Sequence, residues 1–182
     1  MKRAIFLAAF AAVAASAQAQ HQPYAGQDAR DLKSLSADEV KQYLAGDGMG
    51  YAKPAELNGF PGPMHVLELA DKLELTDAQR AQTQALMDGH KAEARAIGAT
   101  LVAAEHALEA LFRSGSLSQA ALVDGVAAAA VLQGQYRLSH LETHRRMRAL
   151  LSEEQVRRYG MLRGYAAGGQ LGGNHAGGAH KH

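Results

Sequence analysis

The sequence predicts an all-α protein built on a long antiparallel helical hairpin with short flanking helices. Three observations carry that reading. From Asp77 to about Arg113 there is no Pro, β-branched residues are sparse, and one line of residues recurs at steps of three and four: Leu86, His90, Ala94, Ile97, Leu101, Ala104, Leu108, Leu111. From about Ser118 to Leu150 a second line does the same: Leu122, Val126, Ala129, Gln133, Tyr136, His140, Thr143, Met147, Leu150. Each hairpin arm begins or ends at the same pentad, Leu75-Thr76-Asp77-Ala78-Gln79 and Leu151-Ser152-Glu153-Glu154-Gln155.

The elements follow in chain order. Residues 20–35 are polar and are expected to form a flexible arm. "SLSADEVKQYLAGDG" then opens with a capping box, Ser36 to Glu39, and stops at Gly46 and Gly48, which predicts a helix of about ten residues. "GYAKPAELNGFPGP" is punctuated by Pro54, Asn58-Gly59, Pro61 and Pro63, and reads mostly as turn. Pro63 suits the first position of a helix running through "MHVLELADKLEL", with Met64, Val66, Leu67, Leu69, Ala70 and Leu73 on its apolar face. Thr76 and Ser152 are good N-caps, and a Gln three residues later can reach back to the cap's own N–H. Asp77, Glu153 and Glu154 place negative charge in a first turn, where the helix dipole favours it. The first long helix would span roughly 50 Å at 1.5 Å per residue. "RSGS", residues 113–116, breaks it. The last helix is expected from Glu153 to about Tyr165. "AAGGQLGGNHAGGAHKH" reads as a disordered tail.

The N-terminus carries the address. "MKRAIFLAAFAAVAASAQAQ" has a basic start, an apolar run from Ala4 to Ala15 and a small-x-small site at Ala17-Gln18-Ala19. It reads as a secretory signal peptide, too short to span a bilayer. The expected organisation is a signal peptide over 1–19, an arm with one short helix over 20–60, a helical domain over 61–166 and the tail over 167–182. The expected location is a bacterial periplasm. Without residues 1–19 the chain keeps 17 basic and 18 acidic residues, net −1, which does not suggest a nucleic-acid partner. No later stretch is apolar for long enough to be a transmembrane segment. With no Cys there are no disulfides, so stability must come from packing or association. A pair of helices buries little surface. A homodimer of hairpins is therefore expected; the alternative is a monomer closed by its short helices into a four-helix bundle.

An exported, Cys-free, all-α chain with this pentad at both ends of a hairpin resembles the Spy/CpxP family, also called the LTxxQ-motif family. The resemblance covers roughly residues 60–165. Leu75, Thr76 and Gln79 match the first motif, and Leu151, Ser152 and Gln155 match the second, with Ser in place of Thr. The resemblance implies a dimeric cradle and one of three roles. The first is an ATP-independent chaperone for unfolded or stressed envelope proteins. The second is a metal-binding protein of a sensing or resistance system. The third is a regulator of an envelope-stress sensor kinase. None of these is an enzyme, and no Ser/His/Asp order, phosphate loop or Cys nucleophile argues otherwise.

Several residues could carry such roles. Arg80, Arg95, Arg137, Arg145, Arg146 and Arg148 among Ala-rich faces could form a mixed apolar and basic client surface, or could simply solvate an outer face. Gly98 and Gly134 fall opposite one another if the hairpin turns near Gly115, which could mark close backbone approach or a bend. His140 and His144 share a helix face, and the same fold places His140 beside His90. These three are candidate ligands for a divalent transition metal such as zinc, nickel, cobalt or copper; no cofactor is otherwise required. The plainer alternative is seam histidines bonded to neighbours. His175, His180 and His182 could bind a metal loosely from the tail.

Overall fold

The computed structural model describes residues 24–165. Six helices follow in order: α1 Ala37–Ala45, α2 Lys53–Glu56, α3 Pro63–Glu68, α4 Asp77–Arg113, α5 Gln119–Leu150 and α6 Glu153–Leu162. The described residues contain no strand. α4 and α5 form the hairpin, turning through Gly115 at φ 67°. The expected signal peptide, and the tail with His175, His180 and His182, lie outside the described residues. Among the described residues no helix is long and apolar enough to cross a membrane.

The helix starts follow the local chemistry of the sequence. Ser36, Thr76 and Ser152 are extended residues whose hydroxyls accept from the N–H three residues on, and Glu39, Gln79 and Gln155 return the bond to the cap N–H. Ser118 caps α5 by its hydroxyl alone. Two ends differ from expectation. α3 stops at Glu68, and the chain turns through 69–74 with Glu74 left-handed at φ 52°. That turn is required because Thr76 must be extended to start α4. The Leu75 N–H bonds back to the Ala70 carbonyl at 3.0 Å, and Leu73 and Leu75 are buried instead of continuing a helical face. α6 ends at Leu162, where Gly164 at φ 73° lets the Tyr165 N–H reach the Gly160 carbonyl at 2.9 Å.

Packing divides into two clusters along the hairpin. At its open end Val66, Ala70, Leu73, Leu75, Leu86, Met147, Leu151 and Tyr159 join α3, α4, α5 and α6. Midway, Tyr43, Ala94, Leu101, Val102, Ala129 and Tyr136 join α1 to the hairpin. The buried lines on α4 and α5 are largely those the spacing predicts as far as Leu101 and Ala129, except that Gln133 is exposed. Beyond them the seam opens: Val126 is half exposed and Leu108 and Leu111 are only partly covered.

The chain before α3 corrects the expectation of a flexible arm. Leu32 is buried, Lys33 Nζ sits 2.7 Å from Glu109 Oε1, and the Ser34 hydroxyl donates to Glu105 Oε2 at 2.8 Å. α1 lies across the middle of α4 and not at the open end, so the short helices do not complete a four-helix bundle. Lys91 holds the C-terminus of α1, donating to the carbonyls of Ala45 and Gly46 at 3.1 Å each and to Asp47 Oδ1 at 2.9 Å. A cation there also complements the helix dipole.

Gly98 explains the crossing. A Cβ at residue 98 would lie 2.1 Å from the Tyr43 carbonyl oxygen. The close approach is therefore between α4 and α1, not between Gly98 and Gly134 as the hairpin register suggested; a Cβ at 134 meets nothing within 4 Å. The two glycines make opposite predictions. Gly98→Ala should destabilise by about 1–3 kcal/mol, because backbone of α1 must move. Gly134→Ala should stabilise by up to about 1 kcal/mol through helix propensity. Thermal unfolding of both variants checks the signs.

Candidate functional site

The two pentads meet. Leu75 and Leu151 lie in one buried cluster, and Gln79 and Gln155 pair across the hairpin's open end. Gln79 Nε2 donates to Gln155 Oε1 at 2.8 Å, and Gln155 Nε2 donates to Gln79 Oε1 at 3.0 Å. Each amide nitrogen also donates to a backbone carbonyl just before the partner's cap: Gln79 to Leu150 at 3.0 Å, Gln155 to Leu73 at 3.3 Å. Each amide oxygen also accepts its own cap N–H, Thr76 at 3.0 Å and Ser152 at 2.9 Å. Both side chains thus use two donors and two acceptor positions, the full capacity of a primary amide. Neighbouring charges pin the loops around the clasp. Arg158 reaches the Lys72 carbonyl at 3.2 Å and Glu74 Oε1 at 2.6 Å. The sequence shows the caps but not the cross-pair. Its only sign is that Thr76 and Ser152 stand about equally far from the turn at Gly115.

A second polar cluster lies further along the seam. His90 and His140 come together as the register predicts, with ring centroids 4.5 Å apart and planes at 87°. His140 Nδ1 donates to the Tyr136 carbonyl at 2.9 Å. Its Nε2 is buried with no hydrogen-bond partner. The Ser139 hydroxyl donates to Glu93 Oε2 at 3.0 Å, so His90 Nδ1, 3.2 Å away, donates to the Ser139 oxygen. Burial, then the neighbouring His140, Lys91 and His144, hold His90 down to about 4. Burial also lowers His140, against a partial counter-effect of the Tyr136 and Asp47 carbonyls. Both rings are neutral at pH 7.

His144 does not complete a triad. Its Nδ1 donates to the Phe60 carbonyl at 2.8 Å, and its ring lies against Gly62. Among the described residues no three His, Cys, Asp or Glu side chains are arranged to hold a metal ion. The expected convergence of His90, His140 and His144 on one ion is replaced by a seam pair and a separate loop contact. Position along a helix brings residues to one face, but loop carbonyls compete for the same rings. His65 pairs with Glu68 at 2.9 Å.

Around the His pair the 46–64 segment leaves a cavity of about 580 Å³, lined by Gly48, Met64, Met87, Lys91 and Thr143 with four histidines, His65 among them. Its walls are tied by two hubs the sequence does not reveal. Tyr136 donates to the Asp47 carbonyl at 2.8 Å and meets Tyr43 and Tyr51 edge-on, at 5.0 and 5.7 Å between centroids. Glu56 accepts from the Tyr159 hydroxyl, from Tyr165 at 3.0 Å and from the Gly62 N–H at 3.1 Å, joining α2 to α6. Burial and that carboxylate push the Tyr159 phenol up.

The candidate basic surface is largely engaged within the chain. Arg80 pairs with Asp71 and Arg148 with Glu153, each at 2.6 Å. Arg145 forks onto Glu142 at 2.6 and 2.7 Å, and Arg95 donates to the Ala45 carbonyl at 3.3 Å. These exposed pairs contribute little stability.

The amide clasp yields a measurable coupling. Gln79→Ala or Gln155→Ala leaves a partner amide and a cap N–H with lost bonds, and each should cost about 1–3 kcal/mol. The double variant should cost less than the sum, by about 1 kcal/mol, because the second change removes a group already orphaned. Chemical denaturation of the four-member cycle measures this.

A family model described as LTXXQ motif family protein matches residues 63–162, the stretch from the start of α3 to the end of α6. No curated protein and no solved structure matches the chain. The matched stretch covers more than half of the sequence and begins and ends around the two clasped pentads, so this chain belongs to the LTXXQ motif family.

Proposed function

We propose that this protein binds non-native proteins of the cell envelope without nucleotide, using the outward face of α5. One observation carries the reading. Val123, Val131 and Leu138 are 58–64% exposed, and α5 has no charged residue from 125 to 136. An ordinary surface helix shows a polar stripe opposite its buried one. Here the residues facing away from Ala129, Tyr136 and Met147 are mostly Val, Leu, Ala and Gly, with Gln135 uncharged among them. Phe112, 58% exposed, extends the apolar surface to the hairpin tip. Arg137, which makes no hydrogen bond or ion pair among the described residues, and Arg145 flank it. An exposed apolar patch of this kind, without a shaped pocket, suits weak contact with many unfolded segments. Family membership supports the same reading, as does an N-terminus of export type.

Aggregation of a denatured client should slow at stoichiometric ratios of this protein, with no ATP present. Val131→Glu/Leu138→Glu should abolish most of that effect while leaving the melting temperature within a few degrees, since both side chains already face water. The expected homodimer is read in the same samples by sedimentation. Loss of suppression with unchanged sedimentation supports the client reading. A variant that loses suppression and also becomes monomeric would assign the face to pairing of two copies. Full suppression by the variant would rule the face out.

A further inference from the structure

We propose that residues 32–62 form an acid-released strap over an apolar trough on the hairpin. The strap is built to separate from what lies beneath it. The trough is made by Ala94, Leu101, Val102, Ala129 and Tyr136 of α4 and α5. α1 covers it through Tyr43 and the backbone contact at Gly98, and the 46–62 segment continues over His90 and His140. α1 has nine residues, too few to persist as a helix in water once it leaves α4. Strap release is therefore local unfolding of 32–62, which must break the Glu56 bonds to Tyr159 and Tyr165, while the clasped hairpin keeps the apolar cluster and amide pair at its open end.

The trigger is the pair of neutral imidazoles under the strap. Gly48 lies against the His140 ring, and Tyr51 stands 6.4 Å from it between centroids. The charged groups around the pair offer it little compensation. On α4, Lys91 adds positive charge and Glu93 reaches His90 only through the Ser139 hydroxyl. On α5, His144 donates to the Phe60 carbonyl and lies 3.6 Å from the strap's Glu56, which faces His144 and not the His90–His140 pair. From the strap, the Asp47 carboxylate is paired with Lys91 while its carbonyl offsets part of the lowering of His140, and Glu56 also accepts from Tyr159, Tyr165 and Gly62. Lys53 lines the same cavity and adds another cation, and His65 is turned to Glu68. Protonation of both rings would place two new cations beside Lys91, with His140 itself buried under the strap.

The direction of the pH effect follows. In the closed form His90 takes a proton only near pH 4, and His140 is also lowered. Once the strap lifts, water reaches both rings and they bind protons near the ordinary value of about 6.5. The open form thus holds more protons between about 6.5 and 4. Closure weakens as pH falls through that window, by up to about tenfold per pH unit for His90, whose effect levels off below about 4, and the lowered His140 acts in the same direction. Most carboxylates are still ionised through the upper part of the window, so the ion pairs of the strap do not account for the change there. What the uncovered trough then binds rests on the proposed client reading; release of the strap does not.

Hydrogen exchange of the exported full chain tests this without any client. After correction for the intrinsic rate, amides of 37–62 should exchange more than about tenfold faster at pH 5 than at pH 7, while α4 and α5 amides keep their protection. Tyrosine near-ultraviolet dichroism should fall in parallel as Tyr43, Tyr51 and Tyr136 separate. In His90→Gln/His140→Gln the acid step should vanish. If that variant lacks helix at pH 7, His90→Gln alone should shrink the step, and Gly98→Ala should expose 37–62 at pH 7 with the hairpin intact. Equal protection of 37–62 at both pH values overturns the proposal. So does loss of protection in the strap and hairpin together, or an unchanged acid step in a folded His variant.

Discussion

The reciprocal amide pair of Gln79 and Gln155 is the constraint on which the rest of the hairpin depends. Two helices of 37 and 32 residues share a seam that grows poorer in contact toward the turn at Gly115. Their open end must therefore be held by something directional. Hydrophobic burial around Leu73, Leu75, Leu151 and Tyr159 supplies the driving force but fixes no register. The amides do, because each must satisfy its own cap, its partner and a carbonyl at once. A shift of α4 along α5 by one residue would break the bonds to the partner amide and to the facing carbonyl, though not the local caps. The clasp thereby couples two local events, the starts of α4 and α6, into one tertiary event.

With the end held, the surfaces of the hairpin divide by chemistry. One side of α4, made of small and aliphatic residues around Gly98, is covered by α1. The outer side of α5 carries the same kind of residues and is left open. The difference lies in what can approach. Gly98 admits the Tyr43 backbone to contact distance, and Lys91 and Arg95 stand ready to take the last carbonyls of α1. On α5 between Asp124 and Arg137 the only polar side chains are Gln133 and Gln135. A covered trough and an open face on one hairpin fit the proposed role in binding non-native chains.

The His pair shows how a seam can carry a polar group at a cost. A buried imidazole nitrogen without a partner destabilises the closed arrangement, and natural folds keep few such atoms. Here it sits where the strap, α4 and α5 converge. The Tyr136 hub compensates on one side by bonding the strap's Asp47 carbonyl. The balance is set locally, so it can shift without disturbing the clasp, which lies further down the hairpin.

Much of this fold was legible in the sequence. The all-α class, the limits of α4 and α5, the turn at 113–116, the capping boxes at Ser36, Thr76 and Ser152 and the family all follow from spacing, caps and a repeated motif. These depend on neighbours within about four residues, so local chemistry determines them. The meeting of His90 with His140 was also legible, because an antiparallel register about a known turn is simple arithmetic. What only the tertiary structure decided are the partners chosen among competing groups. Residues 20–35 read as a flexible arm because they are polar, yet Lys33 and Ser34 found Glu109 and Glu105. Gly98 was matched to Gly134 by register, but α1 took its notch. His144 instead bonds the Phe60 carbonyl, a loop group its position along α5 does not reveal. Gln79 and Gln155 announced two helix starts, and that they also bond each other depended on bringing residues 76 apart in sequence into contact. Sequence periodicity specifies which face of a helix is buried; it does not specify which loop or helix arrives to bury it.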